Sequence, residues 1–301
     1  MATNTLQKIQ PFTLIAYAEL VGMKTKKRGD VPTNKPLSSE QMLDGPPVRE
    51  WILLVGRYAT GKSSAIVSVA QWVEMTQPSA KFHVIDTEKK FRSALQGFRG
   101  DAPKNISYHA CHSMDDAINA LATILDTYKL GDWVAVESMG RLWEYAQDLG
   151  YRAVTDTGKA EYMQRRRGNK SAVTPKPDEL WSVTKGAHDG AFLDLLNQHK
   201  DNLNVIMSTT TTKPPKPDAF IKESQDRKAI RVELGIDVGI EGAPRIPNYA
   251  ETMCFLEQKA GAIACRVLRD NLSSLDDPRQ EFDVPDRKSW ASTFFPMCRE
   301  Q

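Results

Sequence analysis

Eight consecutive residues carry the clearest chemical pattern in this chain. Gly56, Arg57, Tyr58, Ala59, Thr60, Gly61, Lys62 and Ser63 fit GxxxxGK(S/T) in full, with Ser64 opening a predicted helix. Each residue type has a physical reason. Glycines let backbone N–H groups curl around an anion, and the N-terminus of the following helix adds positive potential there. Lys62 places a compact cation beside the outer phosphates of a nucleoside triphosphate. The Ser63 hydroxyl can ligate Mg2+. The pattern therefore predicts ATP and Mg2+ as ligands, bound along Gly56 to Ser64. Such a loop also needs an acid at the end of a neighbouring strand to hold the metal's water shell. Two segments offer one: Phe82-His-Val-Ile-Asp86-Thr-Glu88 and Trp133-Val-Ala-Val-Glu137-Ser138.

The elements that must position these groups read in regular order. Trp51–Val55 is a short apolar run, expected as a buried strand before the loop, and Ser64–Met75 is the helix after it. Phe82–Asp86, Ile106–Ala110, Trp133–Glu137 and Asn204–Thr209 read as further strands. Between them come helices near 89–96, over Met114–Tyr128 and over Leu180–His199. Alternating strands and helices imply a parallel α/β sheet. Thr252–Leu256 and Ala262–Leu268 suggest a hairpin turning at Gly261, and Ile230, Val232 and Leu234 alternate like a strand. Residues 151–178 and 210–228 lack a hydrophobic period and are expected as long loops. Residues 1–50 read as a lead-in segment with a basic run (Lys24, Lys26, Lys27, Arg28) and several prolines. The core follows over 51–270, and 271–301 is a tail whose Trp290, Phe294 and Phe295 should pack on it.

The paired segments resemble RecA-like P-loop ATPases. In that family the strand after the first helix ends in a glutamate that polarises the attacking water, and a later strand ends in an acid followed by Ser. "VIDTE" and "VAVES" match in type, order and approximate spacing. The resemblance implies an α/β RecA-like P-loop NTPase fold: a mainly parallel central sheet flanked by helices, with a C-terminal β-hairpin extension. It makes Glu88 the water-activating carboxylate and Glu137 the metal-shell acid, the latter in place of the family's usual Asp. Thr209, or Ser208 beside it, would sense the γ-phosphate. An AAA+-like reading instead makes Asp86 the metal acid with Glu88 beside it. Within the family, the compact size resembles small phage RecA-like ATPases associated with recombination and single-strand annealing.

The same resemblance gives the two long segments a role, because such loops face DNA. Arg165, Arg166, Arg167, Lys170 and Lys176 lie in the first, and Lys213, Lys216 and Lys222 in the second. Basic loops suit a groove that tracks single-stranded DNA, with Tyr151, Tyr162 and Trp181 as candidate base stackers. Arg266 and Arg269 are candidates for reaching a neighbouring subunit's site in a ring or filament. The implied partners are single-stranded DNA, further copies of the chain, and a single-strand-binding or recombination protein. Two other classes stay open: an ATP-dependent switch acting on a protein, and a packaging or helicase-type motor on duplex DNA.

Composition bounds these readings. Of 301 residues, 41% are hydrophobic and 26% charged, which excludes collagen, coiled coil and wholly disordered classes. Forty Lys and Arg against 38 Asp and Glu leave +2, so any nucleic-acid surface is local. Cys111, Cys254, Cys265 and Cys298 form no CxxC pair, which fits a reduced, cytoplasmic protein with no membrane partner. His109, Cys111 and His112 have no fourth ligand in view and are expected to be packing residues. Cys254 and Cys265 should lie near each other across the hairpin as thiols.

Overall fold

The computed structural model describes residues 49–168, 175–212, 239–243, 245–259, 262–272, 281–286 and 288–299. The expectations for the lead-in, for Lys170, Lys213, Lys216 and Lys222, for the strand at 230–234 and for the turn at Gly261 lie outside them. Contacts divide the chain into two units, one holding Tyr145–Leu196 and the other Pro47–Glu144 with Asn197–Gln301.

The second of these carries the sheet. Its strands are β1 (Trp51–Gly56), β2 (Phe82–Asp86), β3 (Ile106–Ala110), β4 (Trp133–Glu137), β5 (Asn204–Thr212), β6 (Gly239–Ile240), β7 (Thr252–Lys259), β8 (Ala262–Asp270) and β9 (Glu281–Val284). They order as β3-β2-β4-β5-β1-β7-β8-β9, with β6 paired to the end of β5. From β3 to β7 every neighbour runs parallel. The β7–β8 hairpin and β9 then close that side antiparallel. The architecture is thus the expected one: a mainly parallel α/β sheet with a C-terminal hairpin. Parallel strands covered on both faces read as continuous apolar runs, and β1 is buried along its whole length.

Helix α1 (Lys62–Thr76) crosses the sheet beside β1, burying Ile66, Val69 and Val73 against Ile52, Leu54, Phe82 and Trp133. Helices α2 (Phe91–Gln96) and α3 (Met114–Thr127) follow β2 and β3. Ser113 caps α3 by accepting from Asp116 N at 3.0 Å. The C-terminal residues from Trp290 to Arg299 form a helix whose Trp290, Phe294, Phe295 and Cys298 are buried, as their near-helical spacing requires. Phe295 stacks on Trp72 of α1 at 4.0 Å. Arg299 then ties the end of this helix down, reaching Glu50 Oε1 at 2.6 Å, Asp270 Oδ2 at 2.6 Å and Thr252 Oγ1 at 3.0 Å. The predicted contact of the tail with the core is therefore present.

In the other unit the loop expected over 151–178 is mostly helix. Helix α4 (Met139–Thr155) runs into it, α5 (Lys159–Gly168) follows, and α6 (Pro177–Lys185) begins the next. The hydrophobic period fails in α5 because Tyr162 is its one buried residue among those described. Local polar contacts define that helix instead. Asp148 Oδ1 accepts from Lys159 N at 2.8 Å at its start, and Glu161 pairs with Arg165 one turn on at 2.5 Å. The helix predicted over 180–199 is also modified. After Lys185 it widens to a π-helix through Gly186–Asp194 before a last turn, Leu195–Asn197. Gly150 lets α4 and α6 approach closely, since a Cβ there would lie 2.4 Å from Thr184 Oγ1.

Candidate functional site

The site forms at the carboxyl ends of β1, β2, β4 and β5, where open α/β sheets bind ligands. Register places Gly56 between Thr210 of β5 and Leu256 of β7. That position has no space for a side chain, because a Cβ would meet Thr60 Oγ1 at 2.5 Å and the Leu256 carbonyl at 2.6 Å. The loop then turns through two left-handed residues, Ala59 (φ 63°) and Gly61 (φ 87°). Thr60 Oγ1 braces the turn by donating to Arg57 O at 2.9 Å. Helix α1 starts directly at Lys62, so its free N–H groups face the loop.

Lys62 is buried. Its Nζ donates to Gly56 O at 2.8 Å and Arg57 O at 2.7 Å. Burial pulls its pKa below the ordinary lysine value, opposed by the charges of Glu137 and Glu88. A cleft of about 310 Å³ opens over this loop. Lys62, Ser63, Glu88, Lys90, Glu137 and Thr210 are among its lining residues.

The three acids sit in different surroundings. Asp86 and Glu137 are register partners on β2 and β4. Asp86 is fully buried and spends its oxygens on the following turn. Its Oδ1 accepts from Glu88 N at 3.0 Å and Lys89 N at 2.8 Å, and its Oδ2 from Phe91 N at 3.2 Å and Tyr108 Oη at 2.9 Å. Glu137 instead reaches the phosphate loop. Its Oε1 accepts from Ser63 Oγ at 2.6 Å and its Oε2 from Ser208 Oγ at 2.9 Å. Burial raises its pKa, opposed by those two hydroxyls and by Lys62. The longer side chain of Glu thus spans from β4 to the start of α1. Glu88 lies beyond the end of β2, accepting from Ser138 Oγ at 2.9 Å and pairing with Lys90 Nζ at 2.6 Å. Burial alone would raise its carboxyl, but the bonds from Lys90 and Ser138 outweigh burial and hold it below the ordinary value.

Several sequence expectations are corrected here. Thr209 is fully buried and donates to Glu241 O at 2.7 Å, so its hydroxyl does not face the cleft. Strand alternation explains this. Strand β5 continues to Thr212, so Ser208 and Thr210 share the other face, one bonding Glu137 and the other lining the cleft. Arg269 is held within its own chain by the carbonyls of Ala250, at 2.7 Å, and Pro247. Arg266 lies over the Phe255 ring at 5.5 Å and opposite Glu281 in the register. Arg165, Arg166 and Arg167 are exposed, but on helix α5 rather than a loop. Tyr151 and Tyr162 pack on one another at 5.1 Å, and Trp181 is 40% exposed. Cys254 and Cys265 are buried free thiols, each interacting with the other. Lys90, Thr210 and Glu241 were missed. The Lys-Lys pair directly after Glu88 was the available signal for the first. Glu241 is 32 positions beyond the strand residue it bonds, so no local signal marks it.

The donor set suits a hard cation with a polyphosphate. Ser63 and Glu137 supply adjacent oxygen ligands, and the loop is cut to admit backbone but no Cβ at Gly56. Among the described residues no other group of His, Cys, Asp and Glu could hold a metal ion, which agrees with the expectation for His109, Cys111 and His112. Nor is any described helix long and apolar enough to cross a membrane. No family model matches the sequence, and no curated protein does. Among solved structures the chain is similar to one described as the ATPase domain of a replicative helicase, with 10% identity, a TM-score of 0.41, and coverage of 80% of this chain and 83% of that one.

Proposed function

We propose that this chain is a Mg2+-dependent ATPase of the RecA-like kind that works on single-stranded DNA in recombination or annealing, in the cytoplasm. One observation carries the reading. The Ser63 hydroxyl of the phosphate loop is bonded to Glu137 in the same cleft that Lys62 and Glu88 line. The backbone N–H groups of the loop and of the first turn of α1 bind the phosphates, and Lys62 neutralises the outer ones. Ser63 and Glu137 would hold Mg2+, Glu137 directly or through its water shell. When bound, Mg2+ supplies charge compensation on the β and γ oxygens. Glu88 orients a water for in-line attack. Its low pKa makes it a poor proton sink at neutral pH, which suits hydrogen-bond orientation in a loose transition state more than full proton removal.

The DNA part of the reading rests on Arg165, Arg166 and Arg167, which project from the end of α5 into solvent. Cations in the last turn are favoured by the helix dipole and are free to meet phosphates. Lys170, Lys213 and Lys216 would extend this track, and copies of the chain would assemble along the strand as a ring or filament. The catalytic core spans 51–270, with the tail as a brace. The test is the ATPase rate with and without a single-stranded oligonucleotide. Wild type should hydrolyse ATP faster with DNA, and Lys62→Ala should lose turnover. Neutralising Arg165, Arg166 and Arg167 together should lower DNA affinity and flatten its salt dependence by up to about 0.7 in log–log slope per lost contact. A wild type that hydrolyses ATP but does not bind DNA removes the recombination role and leaves a protein-directed switch.

A further inference from the structure

Lys90 stands in the cleft and has no part in the phosphate-loop pattern. It follows Lys89, a non-glycine residue held in the left-handed region (φ 61°). That conformation is imposed by Asp86, whose Oδ1 accepts from both Glu88 N and Lys89 N. The forced turn brings residues 88 and 90 to the same side. Lys90 Nζ then bonds Glu88 Oε2 at 2.6 Å and lies 5.0 Å from the centre of the Tyr58 ring, on the tip of the phosphate loop. Glu88 is thereby clamped at both oxygens, by Ser138 on one and Lys90 on the other. Ser138 directly follows Glu137, so the first contact ties Glu88 to the metal-binding strand. The second ties it to the loop, through a cation resting on an aromatic face.

We propose that Lys90 is the positioning residue for Glu88, with Tyr58 as its platform. This deepens the ATPase reading above and rests on it. A water-orienting carboxylate needs both a fixed direction and a fixed charge. Two free χ angles beyond Cβ would let Glu88 swing away from the attacking line, and a misplacement of about 1 Å lowers a rate by about a hundredfold. Lys90 supplies the restraint by a charge-assisted bond. Its side chain is 54% exposed while that of Glu88 is 16% exposed, so its truncation removes the restraint without opening the core. Tyr58 is 64% exposed, which packing alone does not explain for a tyrosine. Its ring is used as a face for Lys90 Nζ.

The test is steady-state and single-turnover ATP hydrolysis by the full chain, with nucleotide affinity measured separately using a fluorescent ATP analogue. Lys90→Met keeps most of the stem and removes the charge. It should lower kcat about tenfold while KM and analogue affinity stay within about twofold of wild type. Lys90→Arg should restore most of the rate. The decisive arm is Glu88→Gln. If Lys90 acts through the carboxylate, adding Lys90→Met to Glu88→Gln should slow the residual rate no further. An equal fold-loss in both backgrounds, a rise in KM with kcat unchanged, or wild-type turnover by Lys90→Met each overturns the assignment. A wild type without any ATP turnover overturns the ATPase reading itself.

Discussion

Replacing Asp86 with Asn keeps the side chain's size and removes its charge. Its two roles, turn anchor and metal acid, then make opposite forecasts. Asp86 is fully buried, so any unmet bond has no water to replace it. Asn Oδ1 can still accept from Glu88 N and Lys89 N, but as a neutral acceptor, a loss of about 1 kcal/mol for each. The amide nitrogen then faces Phe91 N, a buried donor, and leaving it unmatched costs about 1–3 kcal/mol. Tyr108 can turn its hydroxyl to accept from the amide, so that contact changes little. The total is about 3–5 kcal/mol. For a chain of this size that lowers Tm by about 6–10 °C. Calorimetry reads the first quantity, and a Mg2+ titration of ATPase activity reads the second. The anchor role expects a large fall in Tm with an unchanged Mg2+ midpoint. The Tyr108 pKa, pushed up to about 12 by burial and by its bond to Asp86, should also fall partway toward its ordinary value. An unchanged Tm with a raised Mg2+ midpoint would refute the reasoning and restore Asp86 as the metal acid.

Glu137→Gln should behave in the opposite way. Two serine hydroxyls contact this side chain, and each can reverse its donor sense to suit an amide, so stability should change by less than about 1 kcal/mol while the Mg2+ needed for half-maximal activity rises. His83 gives a pH prediction. It is buried, Asp132 Oδ2 is 3.8 Å from its Nε2, and His109 and Lys81 add positive charge nearby. Burial holds its pKa below the ordinary 6.5. As pH falls through that ordinary value the unfolded chain binds a proton that the folded chain refuses, so stability should fall, levelling off below the folded pKa. Urea unfolding between about pH 7.5 and 5.5 should show this slope, and His83→Gln should reduce it, with His109 and His199 sharing the same sign. A slope unchanged in His83→Gln assigns it to other groups.

The parallel sheet and the phosphate loop were legible in the residues alone, because both are local. Wholly apolar runs such as Trp51–Val55 belong in buried strands, and the glycines at 56 and 61 mark a tight turn into a helix. Alternating strand and helix then leaves few topologies. The bounds of β2, β3 and β4 follow from the same signal and match the observed ones. Helix α5 was misread for the complementary reason: a helix with one buried residue has almost no hydrophobic period, and its i, i+4 ion pair and distant Asp148 contact carry little weight in a linear reading.

Which side chains reach the cleft was decided by tertiary structure. Asp86 and Glu137 are both acids at strand ends, and no local pattern separates them. They differ because Phe91 and Tyr108 satisfy one, while Ser63 and Ser208 lie within reach of the other. Thr209 and Thr210 differ by a single step of strand alternation, and Glu241 claims the first from far along the chain. Arg269 reads as a free cation until the carbonyls of Pro247 and Ala250 are brought beside it. A polar group is available for chemistry only when no other part of the molecule has already satisfied it, and folding brings in those partners from sequence positions that no spacing rule connects.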